Sequence, residues 1–303
     1  MLDKIKTRFS ISELENLSGI SIHTIRIWER RYELLKPKRT ETNIRYYDNE
    51  DLKKLLNVAT LHQQGYKISK LATFSGSQLS SSIEKLGTEN GDFSKSINAF
   101  KLAMFNFDRH LFQRTYNKLS ATLSFNDVFI KVILPFLDNI GTLWQTTSIT
   151  PAHEHFISNL IRQKLFRGVE ELSYSEAHTN KTYVLFLPMN EIHELGLLFI
   201  HYNLLLHNKN SIYLGQSVET GDLSHLTKSI KGSITYITSG TVYPETKDIS
   251  SFLSHFEKTL LGNNNKLWIT GRKFKELDKA KVPPGISVFE NAGTLLNKAG
   301  IVT

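Results

Sequence analysis

Apolar residues recur along this chain in two rhythms. Over residues 10–75 they form short helical stripes. Ser10-Ile-Ser-Glu13 is a capping-box pattern opening a helix through Leu17, and Gly19 ends it. Ser21 caps a second helix, Ile22 to Arg31, whose inward positions are Ile22, Ile25 and Trp28–Glu29. Leu52, Leu55, Leu56 and Ala59 repeat the spacing behind an Asp48 cap, and Gly65–Ser69 leads into a fourth short helix. From Phe93 to about Tyr174 the pattern stays helical. It predicts helices over 94–105, 108–121 with Asp108 as cap, 125–145 with a kink at Pro135, and 151–172 with Thr150 as cap and Pro151 in the first turn. Beyond residue 180 the rhythm changes to short apolar runs, at 183–187, 211–214, 233–237, 266–269 and 286–289. These alternate with helical segments at 194–206, 222–229, 248–261, 273–278 and near the end. Such alternation predicts a parallel, Rossmann-like sheet.

The expected organisation is multidomain: an all-α winged helix-turn-helix over 1–75, a linker over 76–93, a four-helix bundle over 94–175, and an α/β Rossmann-like domain over 180–303. The linker carries Ser/Gly-rich sequence and ends in Gly87-Thr-Glu-Asn-Gly-Asp92. At 303 residues the chain is long enough for several cores. Net charge is +8, and residues 1–75 hold 14 Lys and Arg against 9 Asp and Glu, a surplus of 5, so the surface for an anionic partner is N-terminal. Cysteine is absent, which excludes disulfides, thiolate metal sites and Cys nucleophiles. With no secretory signal and no apolar run of membrane-spanning length, the expected location is the cytoplasm, with no membrane partner.

In the N-terminal quarter, two short helices joined at Gly19 leave His23, Thr24, Arg26, Ile27 and Arg30 on the outer face of the second. That is helix-turn-helix geometry, with the second helix suited to the major groove. Lys36-Pro-Lys-Arg39-Thr-Glu-Thr-Asn43-Ile-Arg45-Tyr46-Tyr47 follows as a wing whose Arg39, Asn43, Arg45 and Tyr46 suit phosphate contacts. The string Ser21-Ile-His-Thr-Ile-Arg-Ile-Trp-Glu-Arg-Arg-Tyr, with Asn43-Ile-Arg-Tyr-Tyr47 after it, closely resembles the winged helix-turn-helix of the MerR family of bacterial transcription regulators. The resemblance implies a dimer on double-stranded promoter DNA.

Two further stretches carry chemistry. After the apolar run Tyr183–Leu187 stands Glu191-Ile-His193-Glu-Leu-Gly196, a histidine at the carboxyl end of a sheet strand, where open α/β folds bind ligands. No Gly-x-Gly-x-x-Gly follows that strand, so dinucleotide binding has no support. In the helical region nine residues separate Trp144 from Glu154-His155. Each feature has an ordinary reading, as a core anchor, a helix-terminal acid or a loop histidine. Together and in this order they resemble the CarH-like cobalamin photoreceptor regulators. Glu191-x-His193-x-x-Gly196 resembles the first part of a cobalamin-binding motif, Thr238-Ser239-Gly240 the second and Thr270-Gly271 the third.

That resemblance implies adenosylcobalamin held between bundle and sheet. His193 is then the lower cobalt ligand, Glu191 sets its tautomer, small residues make room for the nucleotide tail, Trp144 covers the upper corrin face, and Glu154 and His155 hold the adenosyl group. It further implies a light-responsive repressor, not an enzyme, acting as a dimer or tetramer. Cobalamin enzymes need a substrate-bearing barrel, which residues 1–75 cannot supply. Two positions depart from the pattern: Gln145 stands where the family has a histidine that ligates cobalt after light, and Thr270 where it usually has glycine. They leave open a MerR-type regulator with a degenerate pocket that acts without cofactor.

Overall fold

The computed structural model describes residues 8–79, 81–82, 93–145, 149–172, 180–262, 264–275, 277–278 and 282–301, with the side chains of Thr142, Trp144 and Gln145 outside that description. The chain forms two compact units, residues 1–160 and 161–303.

In the first unit, helix α1 (Ile11–Ser18) is opened by a reciprocal Ser10–Glu13 capping box and closed by Gly19 at φ +72°. Helix α2 (Ile22–Tyr32) starts at Ser21. Strands β1 (Lys38–Arg39) and β2 (Arg45–Tyr46) pair antiparallel as the wing. Helix α3 (Asn49–Gln63) starts from a second capping box, Asp48 with Asp51, and α4 (Ile68–Leu71) follows. Ile25, Trp28, Leu52, Leu55, Leu56 and Ala59 are buried as their spacing predicts, Leu14 and Leu17 of α1 join them, and Ile22, expected inward, is half-buried. Residues 76–79, expected in the linker, are helical and bury Leu79, while 83–92 lie outside the described residues.

The bundle helices are α5 (Ser94–Phe105), α6 (Arg109–Ser120), α7 and α8 (Pro151–Glu170). Helix α7 runs through Phe125–Val128, a π-turn over Phe129–Ile133, and Leu134–Gln145. This π-turn stands just before Pro135, where the sequence predicts a kink. Proline has no N–H to offer the Lys131 carbonyl, and Leu134 N reaches back five residues to Phe129 O.

The second unit is a five-stranded parallel sheet in the order β4–β3–β5–β6–β7, formed by β3 (Lys181–Pro188), β4 (Ser211–Val218), β5 (Ser233–Ser239), β6 (Lys266–Thr270) and β7 (Ile286–Val288). This is the flavodoxin-like doubly wound order, whose topological switch point lies between β3 and β5. Leu185, Leu187, Ile237 and Trp268 pack under α9 (Leu195–Leu206) and α12 (Ala292–Lys298). Phe186, Tyr236, Leu267 and Ile269 form the other core with α11 (Ile249–Leu260), and α10 (Ser224–Ser229) follows β4. One expected element is absent as such. In place of a helix over 273–278 there is a 3₁₀ turn, Arg272–Phe274, because Lys273 N bonds Gly240 O at 2.9 Å and Phe274 is drawn into the core.

His201 of α9 is 7% exposed, accepts or donates at Nδ1 with Ser211 Oγ at 2.8 Å, and stacks on Tyr213. Burial pushes its pKa down to about 4 from 6.5, so it folds neutral. Its contribution is fully present above pH 6.5 and falls away as pH drops toward 4, because only the unfolded chain takes up the proton. Urea unfolding of the second unit at pH 7 and at pH 4.5 should therefore differ by about 2 kcal/mol more in the wild type than in His201→Phe.

Candidate cobalamin site and DNA-reading face

The loop after β3 turns back at once: Glu191 N bonds Pro188 O at 3.0 Å, and Asn190 takes a left-handed φ of +67°. Asn190 N is held by Ser217 Oγ at 3.1 Å, from the end of the edge strand β4, where Ser217 is itself left-handed at φ +54°. The turn directs Glu191 into the protein, where it is 0% exposed.

A carboxylate at that depth persists only if its oxygens are bonded. Oε1 accepts from Ile192 N at 2.9 Å, His193 N at 3.0 Å and His193 Nδ1 at 2.5 Å. Oε2 accepts from three consecutive backbone amides after β5, Thr241 at 2.9 Å, Val242 at 2.8 Å and Tyr243 at 2.9 Å. Burial alone would raise the Glu191 pKa; the bonds from His193 and from the Tyr243 and Val242 amides outweigh it and hold the group down to about 2. Since Glu191 is ionised and accepts only, Nδ1 of His193 is the donor. In the neutral ring that leaves Nε2 as the unprotonated nitrogen, on a side chain 37% exposed. A fixed imidazole with that tautomer is the donor a soft or borderline metal takes.

A second buried carboxylate adjoins it. Glu194, 6% exposed, accepts from Tyr213 OH at 2.6 Å and pairs with Arg162 Nε at 2.6 Å, from the carboxyl half of α8. Burial, then Glu194, pushes the Tyr213 phenol up.

Thr238 and Ser239 end β5 and Thr270 ends β6, with Gly240 N bonded to Thr270 O at 3.0 Å. Thr238 Oγ1 is buried with no hydrogen-bond partner among the described residues. Gly271 takes φ +100°, and a Cβ on it would stand 2.6 Å from Gly240 O; one on Gly240 would stand 2.8 Å from Tyr243 O and 2.9 Å from Phe274. These two glycines therefore let the loops after β5 and β6 close on each other. Gly196 is different: a Cβ there meets nothing within 4 Å.

The helical residues belong to the first unit. Trp144 ends α7, with its side chain outside the described residues. Glu154, in the first turn of α8, accepts from Ser158 Oγ at 3.1 Å and lies 3.9 Å from Nε2 of the exposed His155. His153 is a capping residue: it is 5% exposed, and its Nδ1 lies 3.2 Å from Thr150 N and 2.8 Å from Thr150 Oγ1.

On the head, His23, Arg26 and Arg30 are exposed on α2, as their phase predicts. Thr24 instead meets Ser21 Oγ through its own N at 3.2 Å and Oγ1 at 2.8 Å, within the helix cap. In the wing, Arg39 Nη1 donates to Asn43 Oδ1 at 2.8 Å and Asn43 O at 3.1 Å, so these two brace the hairpin. Arg45 pairs with Glu29 at 3.6 Å, and Tyr46 lies under the Arg8 guanidinium at 4.8 Å. Sequence reasoning placed Glu29 inward but did not foresee its partner, Tyr47 OH at 2.5 Å. It also missed the 241–243 amides, which carry no side-chain signal.

Glu191→Gln would aim an amide NH₂ either at the three backbone amides or at the imidazole N–H. The change should cost the second unit about 3 kcal/mol in urea unfolding at pH 7, and ¹⁵N spectra should show His193 losing its single Nδ1–H tautomer.

Comparison with known proteins bears on both sites. Residues 9–75 match the MerR HTH family regulatory protein model, and residues 96–167 match a B12 binding domain. The chain is 27% identical over 230 residues to the HTH-type transcriptional repressor CarH of Myxococcus xanthus, across 74% of this chain and 76% of that one. It is 26% identical over 199 residues to the HTH-type transcriptional repressor CarA of the same organism, across 64% and 63%. The Methanosarcina barkeri monomethylamine corrinoid protein matches 69% of this chain and 98% of its own at TM-score 0.57 and 13% identity, a likeness of fold alone. The chain thus carries a MerR-type helix-turn-helix followed by a B12-binding segment and a five-stranded parallel sheet, and over most of its length it is similar to the repressor CarH.

Proposed function

We propose that this protein is a promoter-binding transcriptional regulator whose hold on DNA is set by adenosylcobalamin, with His193 as the lower cobalt ligand. The observation that carries this reading is the Glu191–His193 pair at the switch point of the sheet. Bound there, adenosylcobalamin would supply a cobalt centre that takes nitrogen ligands and a light-labile cobalt–carbon bond, with His193 as the residue that would hold the cobalt.

The residues present fit that group. Glu191 holds the imidazole with Nδ1 protonated, which orients Nε2 for cobalt and raises its basicity. Exposed Met189, Ile192 and Val242, on the two loops that Glu191 ties together, offer an apolar rim to a large macrocycle. The Thr238 hydroxyl has no partner among the described residues and is suited to a polar atom of the nucleotide tail. Gly196 has open space where a side chain would stand. Trp144, Glu154 and His155 take the adenosyl side in this reading, on the strength of the CarH resemblance. A ligand shifts the protein toward one state only by binding that state more tightly, so on this reading loss of the adenosyl contacts would release the DNA. Dimers or tetramers are the expected DNA-binding species in the cytoplasm, and the corrinoid acts as a sensor, not as a carrier in group transfer.

A second reading keeps the fold without the ligand. The volumes that side chains at Gly240 and Gly271 would fill are occupied by protein atoms, and Gln145 and Thr270 depart from the family pattern. Titration with adenosylcobalamin in the dark separates the two. The first reading expects a coloured complex whose DNA affinity falls under green light, and expects His193→Ala to abolish both responses. A colourless protein, or an alanine variant with unchanged cofactor response, supports the second.

For the head, Arg26→Ala and Arg45→Ala should each weaken DNA binding and lower the slope of log affinity against log salt by about one, as lost phosphate contacts do. Unaltered anisotropy titrations of both variants would contradict the assigned face.

A further inference from the structure

The least expected contact in the first unit is where the DNA-reading head ends. Helix α5 belongs by sequence to the bundle, yet it is packed into the head. Phe105, 1% exposed, meets Phe9 edge to face at 6.0 Å. Phe9 is bridged to Tyr47 by reciprocal N–H···O bonds of 2.8 Å. The Tyr47 phenol donates to Glu29 of α2, and the other Glu29 oxygen lies 3.6 Å from Arg45 of the wing. Asn98 of α5 adds a second tie, donating to Thr60 Oγ1 at 3.0 Å and Leu56 O at 3.4 Å of α3.

Lys101 makes a third, donating to Leu17 O at 3.5 Å, in the last turn of α1. Its burial pushes the ammonium down to about 8. An apolar side chain would sit there at lower cost, whereas a cation at the carboxyl end of α1 fixes how α5 meets that helix. On its other side Phe105 lies 5.5 Å from the ring of His153, which also stacks on Phe107 at 4.8 Å and closes the turn just before Glu154.

We infer that Phe105 is a positioning residue for DNA recognition: through Phe9, Tyr47 and Glu29, the first bundle helix sets the pose of the wing against α2, and the His153 turn sets the pose of Phe105. The inference rests on reading residues 9–75 as the DNA-binding head and is independent of the cofactor. Every link is a packed or hydrogen-bonded contact within the first unit, the kind of contiguous network through which a shift at one end reaches the other. Tyr47 and Glu29 touch no nucleotide in this account; they hold the residues that do.

The test uses the full-length chain, both without cofactor and loaded with adenosylcobalamin in the dark, a duplex selected by it from random sequence, and an unrelated duplex, and compares variants in whichever state binds. Phe105→Ala should weaken binding to the selected duplex about tenfold and leave affinity for the unrelated duplex and its salt dependence unchanged, because the arginines remain. Phe105→Leu should restore most of the loss. DNA binding should slow amide exchange over 150–155 in the wild type and not in Phe105→Ala. Should Phe105→Ala fail to fold, Tyr47→Phe, which removes only the hydroxyl on Glu29, should still lower the selected-to-unrelated affinity ratio about fivefold. An unchanged ratio in a folded variant, or exchange at 150–155 indifferent to DNA in the wild type, overturns the inference alone. A wild-type chain that binds neither duplex overturns the reading of the head and this inference with it.

Discussion

One buried carboxylate organises the candidate cobalamin site. Glu191 draws the loop after β3 and the loop after β5 onto its two oxygens, and these loops leave adjacent strands at the point where the sheet order reverses. Desolvation on that scale costs several kcal/mol per ion, so the group stays ionised only because both loops present their donors together. The imidazole of His193 is one of those donors. Its orientation, its protonated nitrogen and the closure of the two loops are therefore a single condition, and Ser217 secures the same loop from the other side.

The two units use buried polar groups for the same purpose. In the head, Glu29 joins α2 to the wing as Glu191 joins two loops, and Asn98 and Lys101 fasten a bundle helix to the reader. In the sheet domain, Glu194 collects Arg162 and Tyr213 beside the same histidine loop. Each arrangement gives up the cheaper apolar packing in return for a defined geometry, and each lies next to a surface with a binding role in this account.

What the sequence revealed was local. Ser10 with Glu13, Asp48 before Asp51 and Gly19 in the left-handed region specify helix ends within a few residues, and the apolar periods beyond residue 180 announce strands alternating with helices. His193 and Glu191 were legible because motif and strand end coincide. Contacts between distant residues were not. Nothing in residues 241–243 marks them as amide donors, since any side chain leaves the backbone N–H the same. The pairing of Arg39 with Asn43, which braces the hairpin, had no signal in their spacing. The 3₁₀ turn at Arg272–Phe274 was set by a neighbouring loop, and the docking of α5 onto the head by Phe9, some ninety residues away in sequence; neither has a periodic signature.

The central claim is that the Nε2 atom of His193 ligates cobalt in place of the cofactor's own base. Electron paramagnetic resonance of the protein loaded with cobalamin in its cobalt(II) form, prepared with ¹⁵N-labelled histidine, tests it directly. The account predicts that each cobalt line splits into a doublet from ¹⁵N, and that the doublet is lost in His193→Ala. A triplet from the unlabelled nitrogen of the cofactor's benzimidazole would contradict it.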